Sequence, residues 1–167
     1  MPQPFRLAVQ KKLTEAFETI GVAVGYDTEM AGRVYRGRSI FGEETQTPFI
    51  SILEDAIPED VEHDSSARSG ATTYALMVQG FVDDDSDHPT DAAHVLMAHV
   101  KTVLSEANDG RDSAEGIFQL GRKAPMIDRI EFGSGTVRPP DGQISASAYF
   151  WLTVTMTLVE DHRAQFV

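Results

Sequence analysis

Asp83, Asp84, Asp85 and Asp87 crowd into five residues and are followed by His88. Carboxylates at alternate positions are how a calcium loop of the EF-hand type begins, with oxygen ligands at its first, third and fifth places. Here Asp83, Asp85 and Asp87 fill those places, but the pattern then fails twice. His88 stands where the sharp turn needs Gly, and His94 stands where the bidentate Glu belongs. A strand pattern also precedes the run, where an EF-hand has a helix. The run therefore reads as a solvated turn that ends a strand, and no metal site is assigned to it.

The remaining candidates for chemistry are sparse. The histidines are His63, His88, His94, His99 and His162. His94 and His99 are five apart on a helical stretch, so they do not share a face. No zincin-type His pair with a Glu is present, nor a Gly-x-Ser-x-Gly elbow, a phosphate loop with its Lys, or a dinucleotide fingerprint. Gly133-Ser134-Gly135 reads as a turn, because a hairpin and no helix N-terminus follows it. There are no cysteines, which excludes disulfides and thiolate ligands and suits an intracellular protein. The expectation is a protein that is not an enzyme, with no cofactor and no metal.

Charge narrows the partners. The formal net charge is −12, and it is spread as −5 over residues 1–82 and −7 over residues 83–167. A chain this acidic is a poor gripper of nucleic acid, since binding there rests on phosphate neutralisation by Lys and Arg. Against that background Arg33, Arg36 and Arg38 stand out, three arginines within six residues. They fit either a charged strand edge protected from aggregation or a contact with an acidic neighbour. No run of about 18 apolar residues exists to cross a membrane, and the N-terminus lacks the layout of a signal peptide.

The elements that must position these residues follow from periodicity. The organising stretch is Gln143 to Val159. Ile144, Ala146, Ala148, Phe150, Leu152, Val154, Met156 and Leu158 fall on one parity. Ser145, Ser147, Tyr149, Trp151, Thr153, Thr155 and Thr157 fall on the other. Period two predicts a strand with one apolar face and one hydroxyl face, about 50 Å long if unbroken at ~3.3 Å per residue. Tyr149 and Trp151 lie on the hydroxyl face. They either pack across strands or anchor a subunit contact.

Val9, Leu13, Ala16, Phe17 and Ile20 predict a helix over 4–20, with Gly21 as its stop. A short strand is expected at 33–36, central strands at 49–54 and 72–82, and a surface loop at 55–70. Thr90 is the expected cap of a second helix, with Ala92, Val95, Leu96, His99, Val100, Val103 and Leu104 on its buried face. Residues 108–126 are a long loop holding the apolar island Ile117, Phe118 and Leu120. A strand at 127–132, a turn over 133–142 and the long strand make a hairpin, and 160–167 is a frayed end. The length suits a single domain over 1–167. The element order predicts an α+β fold: a mostly antiparallel sheet with a long C-terminal β-hairpin and two main helices packed on one face.

Three pieces together carry a family resemblance. They are the amphipathic N-terminal helix, the segment Arg33-Val34-Tyr35-Arg36-Gly37-Arg38 leading into Pro48-Phe49-Ile50-Ser51-Ile52-Leu53-Glu54, and the strand-to-helix join from Gly80-Phe81-Val82-Asp83-Asp84 to Pro89-Thr90-Asp91-Ala92-Ala93. In these the chain resembles the tail-terminator (tail-completion) proteins of long-tailed phages and prophages, the minor tail protein U-like group. The resemblance covers most of residues 5–159 in element order.

That resemblance implies a virion protein at the head-proximal end of the tail, assembled in the host bacterial cytoplasm. It implies a homo-oligomeric ring, usually a hexamer, that caps the tail tube, ends its polymerisation and offers a surface to the head-completion protein for head-tail joining. Double-stranded DNA would pass through the lumen without specific binding, which an acidic wall favours. A ring contact is heterologous, so Arg33, Arg36 and Arg38 of one copy are expected to face the Asp83, Asp84 and Asp85 region of the next. The alternatives are a tail-tube or head–tail connector ring, and, from another class, a small-molecule-binding or enzymatic α+β domain.

Overall fold

The computed structural model describes residues 2–42, 44–54, 69–83, 85–111, 116–120, 127–141, 145–161 and 166. The chain is an α+β protein. The order is helix α1 (Phe5–Phe17), strands β1 (Val34–Arg36), β2 (Phe49–Glu54) and β3 (Ser69–Phe81), helix α2 (Asp91–Asp109), then β4 (Ile127–Phe132), β5 (Thr136–Arg138) and β6 (Tyr149–Asp161). The strands form one six-stranded sheet in the order β1-β2-β3-β6-β4, with β5 also on β6. Among the described strands only the β1–β2 pair is parallel.

Strand alternation decides the faces. Val34, Ile50, Ile52, Leu76, Val78, Leu152, Val154, Met156 and Leu158 share one face and are buried. Both helices seal that face with Val9, Leu13 and Phe17 from α1 and Ala93, Leu96, Val100 and Leu104 from α2. The apolar side chains recur at helical spacing in one layer and at every second residue in the other. Burying both is the main stabilising term of the fold.

The centre of the sheet is a ribbon in which β3 and β6, 13 residues each, pair along their whole length from Ser69↔Asp161 to Phe81↔Tyr149. At ~3.3 Å per residue it is about 43 Å long. Gly80 faces Phe150 across it. A Cβ there would lie 2.1 Å from the Phe150 ring, so the ring crosses the strand only over a glycine.

β4 and β5 follow one another along the same edge of β6. Between them the chain kinks at Gly133–Gly135, where Gly135 has φ 75°. A side chain at Gly135 would meet Met97 Sδ at 2.5 Å, because α2 passes directly over the kink. The outer edge of this strand pair is occupied by α2. Asn108 donates to the Ile130 carbonyl (2.9 Å) and accepts from its amide (3.1 Å). Arg111 donates to the Asp128 carbonyl, and Lys101 donates to the Ser134 carbonyl. Together with the bulge between Ile127 and Ile130, these contacts blunt an edge that would otherwise invite another strand.

Several expectations need correction. The last strand begins at Tyr149, not Gln143, and ends at Asp161. Ser145 to Ser147 leave the ladder because the polar groups of the two serines bond locally, whereas the Ala148 carbonyl still accepts from the Val82 amide at 3.0 Å. The amide of Ser147 donates to Ser145 Oγ, and that of Ser145 to Asp141. Short serine and aspartate side chains offer the backbone this alternative to a sheet. Ala146 is exposed, and Ile144 lies outside the described residues. At the other end Glu160 and Asp161 are not frayed. They continue β6, and Phe166 forms a bridge with Pro4.

β3 starts at Ser69, three residues before its expected start, while 55–68 lie outside the described residues. β5 occupies part of the expected turn. In α2, Val95 is exposed, and Ala92 and His99 are only half-buried. Thr90 stands at the N-cap position but makes no side-chain cap hydrogen bond. Ile117 and Phe118 are buried core, so that island is a docked turn.

Candidate functional site

The face of the sheet away from the helices divides into two regions. At one end lies an aromatic layer. Phe49 stacks on Phe81 (4.8 Å between centroids), Phe81 on Tyr149 (5.8 Å), and Tyr149 meets Trp151 (5.4 Å). Phe41, from the loop after β1, closes over this row at 4.3 Å from Phe49 and 5.7 Å from Tyr35. The layer follows from register, since Phe49, Phe81 and Tyr149 are cross-strand partners on one row. Among the described residues no helix lies over the other region. Met77, Ala75, Thr155 and Thr157 are half-buried there, and Thr73 and Thr153 are exposed.

The three arginines do not form one patch. Arg33 donates to the carbonyl of Thr47 (3.0 Å) and to Gln46. Arg36 reaches under α1 to Thr14 Oγ1 (2.8 Å). Arg38 turns to the aromatic layer and lies 4.9 Å from the centres of both Tyr35 and Phe41, with Thr45 and Glu44 beside it.

Asp83 accepts from Thr47 Oγ1, so Arg33 and Asp83 meet on the same residue of the same chain. Asp85 accepts from the amides of Asp87 and His88, which hold its carboxyl below the usual range. Asp84 lies outside the described residues. Arginine and aspartate groups expected on opposite sides of a subunit thus adjoin at Thr47.

Tyr149 follows the first of its two expected readings and packs across strands. It is 1% exposed and packed between Phe81 and Trp151, so it is no surface anchor. Burial pushes its hydroxyl pKa up. Trp151 is half-buried, and its Nε1 has no hydrogen-bond partner among the described residues.

A polar cluster that sequence reading missed sits where α1 crosses the ribbon. Arg6 pairs with the buried carboxylate of Glu160 and lies 5.2 Å over the Tyr74 ring. Tyr74 donates to Glu54 (2.8 Å), and Gln10 Nε2 contacts both the Tyr74 hydroxyl and Glu54. Burial raises the Tyr74 pKa well above the ordinary phenol value. Beside it opens a cleft of about 670 Å³ lined by Leu7, Gln10, Arg36, Leu53, Glu54 and Met77. No signal in the sequence joins these residues, because they come from four separate segments.

Among the described residues, no three His, Asp or Glu side chains gather as they would around a metal ion, and no helix is long and apolar enough to cross a membrane. No protein-family model matches the chain, and no curated protein matches it.

Proposed function

We propose that the chain is a structural virion protein that forms a ring on the head-proximal end of a phage tail tube. It ends tube polymerisation and provides the surface for head attachment. DNA passes through the ring without specific binding.

The observation that carries this reading is the two-sided character of the sheet. One face is sealed by helices, and the other is left half-open along β3 and β6 with small and hydroxyl-bearing side chains. An uncovered face of that kind suits a subunit packed among other subunits. The spread acidic charge adds support, since an acidic lumen repels DNA and lets it slide.

The test is the solution mass by light scattering over a concentration range, with negative-stain images of the product. A single closed ring is expected. Long tubes would move the chain to the tail-tube reading. A second reading, small-molecule binding, is favoured by the cleft beside Glu54 and Arg36. A monomer at every concentration whose melting temperature rises with a small ligand would decide for it.

A further inference from the structure

The cleft beside α1 opens where the sheet loses a strand. β1 ends at Arg36, and Gly37, at φ 65°, turns the chain away after donating to the Ile52 carbonyl. β2 runs on through Leu53 and Glu54, with no strand on its outer edge there among the described residues. The cleft left at that edge, about 670 Å³, has the size of a small-molecule site.

Opposite charges line it without meeting. Arg36 faces Ile52 in the ladder and Glu54 lies two residues further along β2, so both side chains are on the helix side of the sheet. α1 holds them apart. Arg36 donates to Thr14 Oγ1 at 2.8 Å, and Gln10 Nε2 donates to Glu54 Oε1 at 2.8 Å. Gln10 and Thr14 are one turn of helix apart, about 6 Å at ~1.5 Å per residue. Among the described residues no ion pair joins Arg36 to Glu54 or to another carboxylate. Tyr74 fixes Glu54 by a second bond to Oε1 (2.8 Å), and Oε2 carries no hydrogen bond among the described residues.

The rest of the wall is apolar. Leu7 lies one turn before Gln10 on α1, and Leu53 and Met77 are cross-strand partners. A cation and a carboxylate held one helical turn apart beside such a wall suit a ligand with both charges on neighbouring atoms and an apolar side chain.

We propose that the cleft binds a free α-amino acid with an apolar side chain. Its carboxylate meets the Arg36 guanidinium, its ammonium meets Glu54 Oε2, and its side chain lies against Leu7, Leu53 and Met77. Both polar contacts are charge-assisted and so of the stronger kind. The inference rests on the small-molecule reading of the cleft, whose ligand class it names, and it does not depend on ring formation.

Titration calorimetry of the parent chain with L-leucine and L-methionine tests it. N-acetyl-L-leucine, which lacks the ammonium, and L-leucinamide, which lacks the carboxylate, are the comparisons. The two amino acids are expected to bind, and each analogue at least about tenfold more weakly. Glu54→Gln, which still accepts from Tyr74, is expected to weaken leucine binding by a similar factor with little change in melting temperature. Leucine binding at full strength in Glu54→Gln, or an analogue that binds as tightly as leucine, overturns the amino-acid class and leaves the small-molecule reading standing. No binding of any of the four compounds at millimolar concentration overturns both.

Discussion

The guanidinium of Arg6 grips the carboxylate of Glu160, 2.8 Å from Nε to Oε1, across 154 residues of sequence. A second bond of 3.2 Å makes the pair bidentate. Glu160 is almost fully buried, whereas Arg6 is half in water. The pair ties the first turn of α1 to the far end of the β3–β6 ribbon, and the Arg6 pKa is raised chiefly by its hydrogen bond to Glu160.

Removing Arg6 leaves a buried carboxylate without its cation. Arg6→Ala is therefore expected to destabilise the chain by about 2 kcal/mol, below the range for a fully buried pair because Arg6 is half exposed. Glu160→Gln, which keeps hydrogen-bonding groups without the charge, should cost less. Urea unfolding of both variants measures this. Equal losses would show that shape, not charge, matters there.

Gly135 is strained by any side chain for two reasons. Its φ is 75°, and a Cβ would meet Met97 Sδ at 2.5 Å. Gly135→Ala is expected to cost about 2 kcal/mol. Met97→Ala in the same chain relieves the steric part and leaves the backbone part. Thermal melts of the single and double variants separate the two, and a neutral Gly135→Ala would refute the close passage of α2.

Alkali should unfold the protein through its tyrosines. Burial, with Asp83 and Asp27 nearby, pushes Tyr26 up to about 12, and Tyr74 and Tyr149 are also raised. A group whose folded pKa is raised holds its proton longer in the folded state. Its stabilising share is complete below the unfolded value near 10 and is lost as pH rises through the folded value. Stability is thus expected to be flat from neutral pH to about 10 and to fall between about 10 and 12. Tyr26→Phe should make that fall shallower. Denaturant midpoints across this window check it, and an unchanged slope would exclude Tyr26 as a contributor.

Phe41 roots the loop after β1. Truncating it removes ring contacts with Tyr35, Phe49 and Phe81 and one of the two rings under Arg38. Phe41→Ala is expected to cost about 2–3 kcal/mol, since the ring is only partly buried. Hydrogen exchange should rise at residues 38–42 and stay unchanged in α2. Unchanged exchange at residues 38–42 would show that Phe41 does not hold that loop.

Local pattern was enough to read the fold class and most of the elements. β2 and β4 stand where composition and flanking turns put them, and the alternation from Phe150 to Leu158 marked the buried face of β6 residue by residue. These features are local, because periodicity alone says which side of a strand or helix must leave water.

The rest follows from contacts that exist only in the folded chain. Ser145 and Ser147 carry the right alternation, yet local hydrogen bonds take them out of the strand. Tyr149 sits on the parity expected to be polar, and its partners Phe81 and Trp151 bury it. Arg33, Arg36 and Arg38 are neighbours in sequence, but three different environments claim them. The Arg6–Glu160 pair joins residues far apart in the chain. Such contacts depend on which surfaces the folded sheet and helices bring together, and no short-range pattern encodes that.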